Sequence, residues 1–133
     1  MPEVVGLGTD VCEIARMTEA LARHGDRFAD RILGPQEQVL FRARRAGAPA
    51  RGAAFLATRF AAKEALAKAL GTGMRPPMAF QACELLPNDA GQPTWQWHGA
   101  LADMMRTRRL HAWVSVSDER TVAVATVLLQ QED

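Results

Sequence analysis

The spacing of apolar positions changes period several times along the chain, and each change marks a predicted element. Residues 3 to 8 (Glu-Val-Val-Gly-Leu-Gly) read as a short strand, after which Val11, Ile14, Ala15, Met17, Leu21 and Ala22 recur at helical spacing as far as Gly25. Asp26 to Leu33 adds a further helical turn or two, Gly34-Pro35 closes it, and Pro35 opens the next helix at a position where a missing N–H costs nothing. Arg45 to Gly52 reads as a loop. Ala53 to Leu70, alanine-rich and free of Gly and Pro, predicts a long helix ended by Gly71-Thr-Gly73 and Pro76-Pro77. Met78 to Leu86 and Pro93 to Trp97 flank a hairpin at Asn88-Asp-Ala-Gly-Gln92. Ala100 to Arg109 is helical, and Val114 to Val116 and Thr121 to Leu129 flank a second hairpin at Ser117-Asp-Glu-Arg120. The pattern gives an α+β class and one domain over residues 1–133.

The long helix carries charge in unexpected places. At about 100° per residue, Phe55, Leu56, Leu66 and Leu70 define an apolar face, and Arg59 and Lys63 fall inside it. Those two side chains must extend past their apolar neighbours toward water, an anion or a neighbouring subunit. On the far side Glu64 and Lys68 lie about 40° apart beside a stripe of Ala57, Ala61 and Ala65. Their i,i+4 spacing also suits an ordinary helical ion pair.

Composition narrows the partners. The net charge is only +1 over 133 residues, which is too balanced for a protein that binds by neutralising a nucleic-acid backbone. Cys12 and Cys83 have no metal-ligand spacing and offer no disulfide framework, so free thiols in a reducing cytoplasm are expected. No stretch approaches the roughly 18 apolar residues of a membrane span. Of the sixteen basic residues only Lys63 and Lys68 are lysine, and both lie in the long helix.

Asp10 stands where the strand is expected to give way to helix. It, or Thr9, suits an N-cap, with Asp10-Val-Cys-Glu13 at capping-box spacing. Gly6 and Gly8 permit close approach of a second backbone or a ligand, and they suit a bulge equally well. They lack the third glycine and the distant acidic residue of a dinucleotide fingerprint. A carboxylate at 10 and another at 64, on separate elements, also suit a hard divalent cation whose shell is completed by phosphate and water.

Gly6-Leu-Gly-Thr-Asp10, followed by Phe60-Ala-Ala-Lys-Glu64-Ala and Lys68-Ala-Leu-Gly-Thr-Gly73, resembles the signatures of the 4'-phosphopantetheinyl transferase family, of the holo-acyl-carrier-protein synthase type. The likeness extends to Arg27-Phe-Ala-Asp-Arg-Ile-Leu33 and to Ser117-Asp-Glu-Arg120. It implies transfer of the 4'-phosphopantetheine arm of coenzyme A to a serine of an apo-acyl carrier protein, in support of fatty acid biosynthesis. It further implies Mg²⁺ held by Asp10 and Glu64, catalytic roles for Glu64 and Lys68, and coenzyme A phosphates near Lys63, Lys68, Gly71, Thr72 and Gly73. Arg16, Arg27 and Arg31 would then dock an acidic carrier helix, and the short chain would act as a homotrimer with shared sites. Many relatives have histidine before the last hairpin where this chain has Trp113, which cannot accept a proton. Glu64 or a metal-bound hydroxide is then expected to take the serine proton. A rival reading, a coenzyme A binding module without turnover, rests on the same tryptophan.

Overall fold

The computed structural model describes residues 1–133. In chain order the elements are β1 (Glu3–Glu13), α1 (Ile14–His24), α2 (Asp26–Ile32), α3 (Pro35–Gly47), α4 (Pro49–Leu70), a 3-10 turn (Phe80–Ala82), β2 (Cys83–Pro87), β3 (Pro93–Trp97), α5 (Gly99–Thr107), β4 (Leu110–Asp118) and β5 (Val122–Gln131). Strands β1, β5 and β4 form an antiparallel sheet in that order, and β2 and β3 form a separate hairpin. The α+β class is as the sequence predicts, and α4 is its axis, packed on β1 and β5 and flanked by α1 and α3.

The approach of α4 to the sheet follows from small residues on both sides. Ala57, Ala61 and Ala65 are fully buried. Opposite them, Gly6 and Gly8 lie on the inner face of β1, and a Cβ on either would overlap a carbonyl oxygen of α4, that of Ala69 or Ala65. A register shift between Val4 and Gly6 adds a bulge at the start of the strand. Gly6 and Gly8 themselves pair in regular register, so close backbone approach is the reading that holds for them.

Several boundaries move from their predicted places, β4 among them, which starts at Leu110 rather than Val114. β1 runs to Glu13 because Asp10 through Glu13 pair with Ala125 through Val122 of β5. Asp10 is thus a strand residue, the N-cap of α1 is Glu13, and that end has no side-chain cap at all. The expected Arg45–Gly52 loop shrinks to Ala48, with Pro49 at the first position of α4 and Gly52 fitting against Arg45 of α3. Finally, the predicted 78–86 strand starts only at Cys83, with Phe80–Ala82 forming the 3-10 turn.

Candidate functional site

Alternation along β1 sends Gly6, Gly8, Asp10 and Cys12 toward α4, and Leu7, Thr9 and Val11 away from it. Since Gly6 and Gly8 bring the two backbones together, the next inward side chain, Asp10, meets the turn of α4 that carries Glu64 and Lys68. The Lys68 ammonium donates to the Thr9 carbonyl at 2.9 Å and to Asp10 Oδ1 at 3.0 Å. It ties helix to strand, and the i,i+4 pair with Glu64 that the spacing allowed is not formed. Burial, and then the Asp10 charge, push the Glu64 carboxyl above its ordinary value, with Lys68 and Arg16 opposing.

Two carboxylates whose charges repel across a partly buried gap are a donor set that a divalent cation would relieve, and their hard oxygens suit magnesium. No group of three or more His, Cys, Asp or Glu side chains is placed so that it could hold a metal ion. The arrangement fits a cation that shares its coordination with a phosphorylated substrate.

The profile of the 4'-phosphopantetheinyl transferase superfamily matches residues 6–127, which include all of these side chains. The chain belongs to that superfamily. Among curated relatives, the transferase is 50% identical over 129 residues to the holo-[acyl-carrier-protein] synthase of Leptothrix cholodnii, covering 97% of this chain and 98% of the other. It is 47% identical over 130 residues to that of Methylibium petroleiphilum, covering 98% of each. Among solved structures, the holo-[acyl-carrier-protein] synthase of Neisseria meningitidis superposes with a TM-score of 0.85 at 34% identity, over 96% of this chain and 98% of that one. That of Bacillus anthracis, in complex with coenzyme A (3',5'-ADP), gives 0.78 at 30% identity, over 97% and 98%.

The transferase places its other expected site residues unevenly. Arg16, Arg27 and Arg31 line one cavity of about 420 Å³ between α1 and α2, together with Arg23 and His24, which the sequence alone marks only as solvated surface positions. The signal for Arg23 was present: it lies seven residues from Arg16, on the same helical face. Arg16 also lies over the Phe60 ring, its guanidinium 5.6 Å from the centroid, with Phe60 stacked on Phe80.

Gly71-Thr-Gly73 ends α4 one turn after Lys68, but most of its amides are committed. Gly71 adopts a left-handed conformation, its N–H donates to the Ala67 and Lys68 carbonyls, and the Thr72 N–H donates to Ala67. Of the three amides only that of Gly73 is left for a phosphate.

Lys63 departs further from expectation. Its side chain is fully buried, and its three donors go to the carbonyls of Ile32 and Phe80 and to Glu37 Oε1, at 2.6, 2.7 and 2.7 Å. An ammonium so satisfied has nothing left for a phosphate, so its place here is inside the fold. Arg59, its neighbour on the apolar face, is also buried, donating to the Leu85 carbonyl over the Phe55 ring, and burial lowers its pKa to about 10. With Arg44 and Arg51, Arg59 lines a second basic cavity of about 340 Å³ closed by Asp118. Arg51 lies in the Arg45–Gly52 stretch expected to be a loop, and the structure folds it into the first turn of α4.

Trp113 is on the opposite face of the sheet from Asp10, in register with Leu128 and through it with Leu7. It is 57% exposed, donates to Gln130 Oε1 at 3.1 Å, and meets His111 edge-on with ring centroids 4.4 Å apart. Neither ring reaches the Asp10–Glu64–Lys68 group, because the sheet stands between them.

Proposed function

We propose that this transferase moves the 4'-phosphopantetheine arm of coenzyme A to a serine hydroxyl of an apo-acyl carrier protein, releasing adenosine 3',5'-bisphosphate, in support of fatty acid biosynthesis in the cytoplasm. The observation that carries the reading is the convergence of Asp10, Glu64 and Lys68 at one place between β1 and α4. The names and the bound coenzyme A of the relatives support it.

Asp10 and Glu64 would hold Mg²⁺, which when bound supplies positive charge to the oxygens of the phosphoryl group in transfer. Lys68 adds a cation fixed in place by the Thr9 carbonyl, so little reorganisation is needed as charge develops. The serine proton falls to Glu64, directly or through water, since Trp113 has no accepting nitrogen and faces away. The nucleophile belongs to the carrier. The arginines around the α1–α2 cavity suit an acidic carrier helix and would steer its approach.

One transferase domain over residues 1–133 would work as a homotrimer. Leu7, Val11 and Trp113, 65%, 58% and 57% exposed, lie on the outer face of the main sheet, which nothing in the protomer covers. Covering it with other copies would bury apolar surface and bring Trp113 of one protomer toward a neighbour's site.

The test is incubation with coenzyme A, Mg²⁺ and an apo-carrier, followed by the intact mass of the carrier. A gain equal to one phosphopantetheine group, abolished by chelation of the metal, is expected. Coenzyme A binding without any gain in carrier mass would make the protein a binding module and overturn the reading.

A further inference from the structure

Lys63 and Glu37 form the one ion pair of the chain in which both side chains are fully buried. Every polar atom of the pair is engaged. Besides accepting from Lys63, Glu37 Oε1 accepts from the Gly34 N–H at 2.9 Å, and Oε2 accepts from the Leu85 N–H at 2.8 Å. Behind it the buried Glu84 accepts the N–H groups of Gln36 and Glu37 at 2.8 and 3.1 Å and meets His98 Nε2 at 2.9 Å.

The segments joined by this one ammonium are those that surround the site. The Ile32 carbonyl ends α2, which presents Arg27 and Arg31. The Phe80 carbonyl belongs to the 3-10 turn, whose Phe80 stacks on Phe60 under Arg16. Glu37 lies in the first turn of α3, and Lys63 immediately precedes Glu64 on α4. Stability alone does not call for such a pair, since well-packed apolar residues of similar volume serve a buried position as well or better. Directional bonds to three other segments provide something apolar packing does not, a fixed rotation and height of one helix against its neighbours.

We propose that Lys63 and Glu37 are positioning residues that align the helix carrying Glu64 and Lys68 with the helix that presents Arg27 and Arg31. This rests on the roles proposed above for Glu64 and for those arginines. Neither Lys63 nor Glu37 touches a substrate; they fix the distance between the place where the carrier lands and the place where its serine reacts.

The test compares Lys63→Met with Leu66→Ala, a core substitution on the same helix that breaks no directional bond, at temperatures where circular dichroism shows both folded and at equal distance below their Tm. Lys63→Met is expected to lower kcat about 10–100-fold, as misplacement of reacting groups by an ångström does. Its KM for coenzyme A should stay within about threefold of wild type, and Leu66→Ala should keep most of its kcat. Should the methionine variant not fold, Lys63→Gln, which still donates to the carbonyls, is held to the same criterion. Equal losses of kcat in the lysine variant and in Leu66→Ala would make the pair a plain stability element and overturn the proposal. Glu64→Gln separates the two layers: an active Glu64→Gln sinks the role of Glu64 and this proposal with it, whereas an inactive Glu64→Gln beside a fully active Lys63→Met sinks the positioning role alone.

Discussion

Substituting Gly8 by Ala should separate strand β1 from helix α4 and damage both stability and turnover. The added Cβ would overlap the Ala65 carbonyl oxygen and stand 2.8 Å from the Ala69 nitrogen and 3.0 Å from the Ala65 carbonyl carbon. All three are backbone atoms, which cannot rotate aside, so relief requires the strand to retreat by about 1 Å in an interior packed to crystal density. Overpacking of this kind costs about 1–3 kcal/mol, and an opposing backbone puts the cost near 3 kcal/mol. At about 3–4 °C per kcal/mol for a chain of this size, Tm should fall by about 10 °C. Asp10, two residues on and on the same face, moves with the strand, and an ångström of misplacement relative to Glu64 should slow transfer about 100-fold in the molecules that remain folded. Gly47→Ala is the control: nothing lies within 4 Å of its Cβ, and in a helix it should stabilise by about 0.5 kcal/mol. Thermal unfolding and carrier modification rates at 20 °C decide the matter. A Gly8→Ala variant with the Tm and rate of the wild type would refute the packing argument from which the site was built.

Charge reversal of Arg31 to Glu should raise KM for the carrier more than for coenzyme A, with the difference shrinking as salt screens the approach; equal changes in both constants would mark a structural arginine. Trp113→His should change turnover less than about tenfold, while Trp113→Ala should cost more through lost packing, both measured at saturating coenzyme A and Mg²⁺; an inert natural chain beside an active histidine variant would refute the proton route proposed here. For pH dependence, burial opposes the charge of Glu84, but the Glu37 and Gln36 amides and the His98 ring prevail and hold its carboxyl below the ordinary value. A depressed carboxylate pKa contributes stability that is full above the ordinary glutamate value and is lost as pH falls through the folded one. The Tm gap between wild type and Glu84→Gln should therefore be widest above the ordinary glutamate value and narrow as pH falls below it, and a gap that ignores pH would contradict this.

What the sequence made legible follows the range of the interactions involved. Helix α4 and the β2–β3 hairpin are set by local propensity and turn residues, and both form where the spacing puts them, though α4 starts at Pro49 and β2 only at Cys83. Strand β1 is different, because Val11 and Ile14 fit a helical period, and only pairing with β5, more than a hundred residues away, holds Asp10 to Glu13 extended. That one boundary decides whether Asp10 caps a helix or faces Glu64. The placement of Lys63 was half legible: its position on the apolar face was plain, but its fate depended on Glu37, the Ile32 carbonyl and the Phe80 carbonyl, none of which is near it in sequence. The i,i+4 pair of Glu64 and Lys68 failed for the same reason, since Asp10 competes for the ammonium from another element. Family signatures pointed to Asp10 and Glu64 together where spacing alone left the choice open.

The most direct test of the central claim is the rate of carrier modification by Asp10→Asn as Mg²⁺ is titrated. Asparagine keeps the size of the side chain and an oxygen for the Lys68 ammonium, and it sits in a strand where capping plays no part, so the fold should be unchanged. Loss of the negative charge should cost at least about 100-fold in turnover at saturating metal and raise the Mg²⁺ concentration needed for half-maximal rate. A folded Asp10→Asn enzyme with the wild-type rate and the wild-type Mg²⁺ dependence would contradict the assignment of Asp10, and with it the site built between β1 and α4.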